Sequence, residues 1–205
     1  PSSGDSHYGN GESVFENGTF DLYRDALASK VVPFASECAI LGPASEETLR
    51  KIFPEEHIWP MDDMWADRFM KNPYSGVTLD FPHRELFMAD KFYGNVSGLT
   101  DFIQKCMIAH AETMRAEAEY SRGHSNQTSA FLNWMFDDIW PSGTWSTVDY
   151  YLEPKEVYYQ LKRSFAPRLV SFYQDKEKNT HLFVDNQSFE LFKGNVTVEV
   201  KNLAG

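Results

Sequence analysis

The 205-residue chain is 42% hydrophobic and carries a formal charge of −11, with a pI of about 4.9. That is enough apolar material for one core, or one core and part of another, under a charge that repels nucleic acid. Two cysteines and six scattered histidines give neither a disulfide framework nor metal-ligand spacing, and no apolar stretch reaches the roughly 18 residues of a membrane span.

Residues 1–19, rich in Gly, Ser and Asn, predict an irregular loop, and residues 20–29 a short helix. Val31 to Ser36 form an apolar, β-prone run that stops at Glu37. Ser45 is expected to cap a helix over 46–53, with acids in its first turn, and Pro54 to end it. Residues 54–82, proline-rich and polar around Trp59 and Trp65, predict a long and mostly irregular excursion. A helix follows from His83 to Tyr93, broken by Gly94 and Gly98.

Thr100 is expected to cap the clearest helix, which runs to about Arg122. Leu99, Phe102, Ile103, Cys106, Met107, His110, Met114 and Ala118 recur at helical spacing and predict one buried stripe. Asp101, Lys105, Glu112, Arg115 and Glu119 read as its solvated face. After a polar loop over 123–129, a second strand is expected over 131–136, ending at Asp137 and Asp138. Near Phe165 the pattern changes, and strands are expected over 168–172, 181–184 and 195–200. The order fits an α/β chain: the last strands of a TIM (β/α)8 barrel over 1–163, then the first strands of an immunoglobulin-like β-sandwich over 164–205.

An acid at the end of a barrel strand is how such folds place catalytic groups, although an exposed acid after a strand would look the same. Glycoside hydrolysis needs a second carboxylate opposite the first, and none stands out. Cys38 reads as a small buried hydrophobe rather than a nucleophile. Residues 133–149 hold three Trp and three Asp. Trp134 suits the floor of a sugar subsite, while Trp140 and Trp145 suit packing between barrel and sandwich. On the residues alone, a non-catalytic carbohydrate-binding module or a structural domain stays open.

The run Leu132-Asn133-Trp134-Met135-Phe136-Asp137-Asp138-Ile139-Trp140-Pro141, with Thr144-Trp145-Ser146 and Val148-Asp149-Tyr150-Tyr151, resembles the last-strand motif of glycoside hydrolase family 2, in its β-mannosidase branch. Lys162 to Ser171 is similar to that family's entry into the next sandwich domain, and Phe34-Ala35-Ser36-Glu37 to its nucleophile strand. Ser36-Glu37, Gly42-Pro43, Leu49-Arg50 and the helix from Asp101 look like the exo-β-glucosaminidase branch, and Gly4 to Tyr8 is similar to the loop after the sixth barrel strand. The resemblance implies a retaining exo-β-glycosidase with Glu37 as nucleophile. Trp134 would lie under the sugar, with His7, Tyr8 and Asp137 lining the same subsite, and Tyr8 could hydrogen-bond the nucleophile. The substrate would be a glycoside or oligosaccharide ending in β-mannose or β-glucosamine, cleaved without cofactor or metal. Cys38-Ala39, Gly9, Asn133 and Asp137 depart from the family's usual residues.

The family's acid/base is a Glu after an Asn, and no Asn-Glu pair occurs in the chain. The resemblance therefore implies a piece of a longer enzyme, cut at both ends and inactive alone. Its open sheet edges are expected to self-associate or to pair with the missing portion. No nucleic-acid or membrane partner is expected. Localisation stays open, with a secreted or periplasmic setting fitting better than a cytoplasmic one.

Overall fold

The computed structural model describes residues 7–8, 25, 27–28, 31–68, 81–143, 145–202 and 204–205. Three short parallel strands, β1 (His7–Tyr8), β2 (Ala35–Cys38) and β3 (Phe131–Asn133), form one sheet in the order β1-β2-β3. Parallel neighbours need long crossovers. The crossover from β2 to β3 holds α1 (Glu46–Ile52), α2 (Glu55–Ile58), α3 (Asp63–Arg68), α4 (Phe81–Tyr93) and α5 (Leu99–Gly123). A further helix, α6 (Glu156–Ser164), leads to an antiparallel hairpin of β4 (Arg168–Gln174) and β5 (Thr180–Asn186). Among the described residues no helix is long and apolar enough to cross a membrane.

Local chemistry accounts for α1. Ser45 accepts a hydrogen bond from the Thr48 N–H at 3.1 Å, and Glu46 and Glu47 pair with Arg50 and Lys51 one turn later. Its buried face, Leu49 and Ile52, joins Leu99, Phe102, Ile103 and Cys106 of α5 in one apolar cluster. The proline-rich stretch after it is not irregular throughout, because α2 and α3 fold there. Fully buried Trp65 organises them, stacked on Phe53 at 4.8 Å and donating its indole N–H to the His57 carbonyl at 2.9 Å.

Helix α5 starts with Gly98 as its cap, not Thr100, whose hydroxyl instead donates to Glu46 at 2.7 Å. Its expected apolar stripe is buried except for half-buried Met107, but Glu119 is buried too rather than solvated. Glu119 accepts hydrogen bonds from Ser164 and Ser171, tying α5 to the end of α6 and to β4. Arg122 binds Asp185 on β5 at 2.8 Å and the carbonyls of Ser164 and Ala166. A side chain at Gly123 would meet the Tyr173 ring at 2.6 Å, so the hairpin rests directly on the helix backbone.

Other expectations are corrected. His7–Tyr8, expected in a loop, pairs as β1. Residues 31–34 precede β2 rather than forming it, and Glu37 lies within the strand. Pro33 has no N–H to offer a ladder, and its carbonyl accepts from the Ser129 N–H instead. The second strand stops at Asn133. Residues 195–200 alternate like a strand but pair with no strand among the described residues. Helix α6 was not anticipated. Of residues 1–19 and 20–29 only 7–8, 25, 27 and 28 are described, the last three helical, so the rest of both expectations lies outside the described residues.

Glu85 on α4 is fully buried, and neither carboxyl oxygen has a hydrogen-bond partner among the described residues. Burial holds its pKa well above the usual carboxylate range, against the opposing pull of Lys155. The Cys106 thiol packs beside it, donating to the Glu85 carbonyl at 3.3 Å. The folded chain therefore keeps a proton that the unfolded chain releases near its ordinary pKa of about 4.3. Between those two pKa values the folded state binds more protons, so the carboxyl's contribution falls as pH rises through that window. In thermal unfolding, Glu85→Gln should gain Tm relative to the parent chain as pH rises from about 4 to about 8. A Tm difference that is constant over that range would show that folding does not raise the Glu85 pKa.

Candidate active site

The parallel register sets candidate residues side by side. His7 is the Cα partner of Glu37, and Tyr8 that of Cys38. On the other side Cys38 partners Asn133, across an irregularity between Ala35 and Cys38. The ladder continues one residue past β3, where the Trp134 N–H donates to the Cys38 carbonyl at 2.8 Å. Glu37, His7, Tyr8 and Trp134 thus share the C-terminal edge of one sheet, where parallel βα folds gather functional groups.

Glu37 is half-buried, and Trp134 is 44% exposed. The Trp134–Met135 peptide bond is cis. Asp137 lies three residues further on, exposed and bridged to Val148. The Cys38 thiol is fully buried, and burial together with the Glu117 carboxylate pushes its pKa up, so it does not supply a thiolate. Trp145 packs against the α1–α5 cluster rather than against the hairpin, and Trp140 is exposed. Among the described residues no group of three His, Cys, Asp or Glu is arranged to hold a metal ion.

The segment after Trp134 is held by buried polar groups. Asp138 accepts from the Ser146 hydroxyl at 2.7 Å. Asp149 accepts from the N–H groups of Tyr151 and Glu153, and from the Thr48 hydroxyl at 2.5 Å. The cation among them is Lys155, 2% exposed, 4.0 Å from Asp138 and donating to the Gly42 carbonyl at 2.9 Å. Burial pulls the Lys155 pKa down, while Asp138, Glu85 and Asp149 pull it back up. Sequence reading missed Lys155, because a lone Lys after Pro154 looks like any solvated cation. The available signal was the trio of Asp in 133–149: carboxylates massed among tryptophans call for a buried cation nearby.

No protein-family model matches the chain. An exo-β-D-glucosaminidase from Amycolatopsis orientalis is 27% identical over 166 residues, covering 78% of this chain and 16% of that protein. A β-mannosidase B from Thermothelomyces thermophilus is 35% identical over 74 residues, covering 33% of this chain and 9% of that protein. Among solved structures, the β-D-mannosidase from Dictyoglomus thermophilum superposes with a TM-score of 0.74 at 23% identity, over 91% of this chain and 22% of that one. The chain thus spans less than a quarter of the length of each of these three. Its relatives are exo-β-D-glucosaminidases and β-mannosidases, the two branches that its strand-end motifs resemble.

Proposed function

We propose that the chain is part of the catalytic barrel of a retaining, exo-acting β-glycosidase, with residues 1–163 in the barrel and 164–205 opening a β-sandwich. The parent enzyme would release a terminal β-mannoside or β-glucosaminide. The observation that carries this reading is Glu37 in a central parallel strand, with His7 opposite it on one side and the Trp134 strand on the other. The kinship to exo-β-D-glucosaminidases and β-mannosidases supports the substrate class.

In this reading a Glu37 carboxylate oxygen attacks the anomeric carbon. The glycosidic C–O bond breaks, and the leaving oxygen takes a proton from a second carboxylic acid. Water then cleaves the glycosyl ester, giving up its proton to that same residue, and Glu37 is regenerated. Trp134 would offer an aromatic face for the sugar's C–H groups, and the resemblance would put His7, Tyr8 and Asp137 in the same subsite. By the resemblance the second carboxyl would be a Glu following an Asn, a pair these residues do not contain. No cofactor or metal enters these steps.

In the full-length protein, Glu37→Gln is expected to lower kcat on 4-nitrophenyl β-mannoside or β-glucosaminide by about 10³-fold or more. Glu37→Gly with added azide should regain turnover and yield the α-glycosyl azide, because azide enters from the face that Glu37 vacates. A Gln variant that keeps its activity would refute the nucleophile role, and the 205-residue chain alone should hydrolyse neither substrate.

Among the described residues no further strand pairs with the outer edges of β1 or β3, and unpaired edges recruit other chains. Light scattering of the isolated chain should therefore give a mass above 23.6 kDa, and a monodisperse monomer at that mass would count against this reading of its edges.

A further inference from the structure

The two segments that leave the sheet beside Glu37 and Trp134 meet at one side chain. The first follows β2 and passes Gly42, five residues beyond Glu37. The second follows β3 and passes Asp138, four residues beyond Trp134. The Lys155 ammonium donates to the Gly42 carbonyl at 2.9 Å and stands 4.0 Å from an Asp138 carboxylate oxygen. Its own backbone is fixed to the second segment, the Lys155 N–H donating to the Thr147 carbonyl at 3.0 Å.

Each neighbour is restrained in turn. Ser146 donates to the Asp138 oxygen that faces Lys155. Gly42 is also packed against His110 of α5: a Cβ on residue 42 would fall 2.1 Å from the His110 Nδ1. At Gly42 the loop after β2 therefore meets both the His110 ring and the Lys155 ammonium. A buried ion pair seldom adds stability over an apolar replacement, because desolvation offsets the attraction. Geometry is what this one supplies: a fixed separation between two loops whose strands, of four and three residues, have little ladder of their own.

We propose that Lys155 is a positioning residue for glycoside cleavage, clamping the Glu37 segment to the Trp134 segment so that carboxylate and sugar platform stay in reacting register. This rests on the reading of Glu37 as nucleophile. Lys155 touches neither substrate nor reacting atoms.

The test uses the full-length protein with two variants, Lys155→Met, which keeps the stem and removes the charge, and Ser146→Ala, which removes one hydrogen bond to Asp138. Active sites are counted by labelling with a 2-deoxy-2-fluoroglycosyl fluoride, which leaves a glycosyl ester on the nucleophile and releases fluoride. Mass spectrometry locates the ester. A misplacement of about 1 Å costs about 10²-fold in rate. Lys155→Met should therefore lose about 10- to 100-fold in kcat per labelled site, with KM changed less than about threefold. Ser146→Ala should lose less, in the same direction, with its melting temperature nearly unchanged. A purely structural role would lower the number of labelled sites and leave kcat per site intact. If both variants hold kcat per site within about twofold of wild type, the proposal is overturned. If Lys155→Met does not fold, Ser146→Ala decides alone. Label found on a residue other than Glu37 in the wild-type protein would refute the nucleophile reading, a result separate from either variant's behaviour.

Discussion

Burial of one face of α5 is the constraint on which the rest of the structure depends. At its start Leu99, Phe102, Ile103 and Cys106 close the cluster that holds α1, α2 and α3. Further along, Ala109, Ala111, Met114 and Ala118 pack with Ala35 and Cys38 of β2 and with Val157 and Leu161 of α6. At its end Arg122 and Gly123 receive the hairpin. A helix of 25 residues provides a straight axis that strands of two to four residues cannot. The sheet is therefore positioned by the helix that covers it, and the strands supply only the local direction in which Glu37 and Trp134 are delivered.

That face of α5 is not uniformly apolar, and its polar members are where it specifies rather than merely buries. His110 stands against the backbone of Gly42. Glu119 binds Ser164 and Ser171. Arg122 binds one carboxylate and two carbonyls on segments that arrive more than forty residues later. Apolar contacts alone would tolerate a sliding or rotated neighbour, because the hydrophobic effect has no direction. A buried donor without its acceptor costs about 1–3 kcal/mol, so each of these pairs penalises a shifted register.

What the sequence made legible follows from how local the signal was. The cap and acidic first turn of α1, the span of α4, the stripe of α5 and the two strands of the hairpin are each written within one segment, and all four were anticipated. The parallel strands were harder. Two to four residues carry no periodicity, and their ends are set by partners far away: the Val32 carbonyl is fixed by a hydroxyl 96 residues further on. Glu119 reads as part of the solvated face because it is charged, and the serines of α6 and β4 draw it inward. Residues 195–200 show the reverse case, an alternating pattern with no neighbouring strand to complete it. The strand-end motifs around Glu37 and Trp134 were readable as short strings. The cation that stands behind them was not, since a single Lys carries no pattern.

The shortness of the strands also bears on how the candidate site keeps its shape. One ladder bond from Trp134 to Cys38 fixes the level at which the two strands end, and it leaves both following segments free to diverge. Lys155 to the Gly42 carbonyl and the Thr48 hydroxyl to Asp149 draw the two segments together, while Thr147 to the Phe136 carbonyl and Asp149 to the N–H groups of Tyr151 and Glu153 fold the second segment on itself. The two bonds that join the segments are buried, where a polar contact is strong and a lost partner is costly. A sheet edge of this kind can change the residues that face a ligand while its supports stay fixed, because the supports lie behind the edge and not on it. The departures at Asn133 and Asp137 fall on the edge itself, while Cys38 is buried in the core beneath it. Thr48, Ser146, Asp149 and Lys155 lie buried behind it.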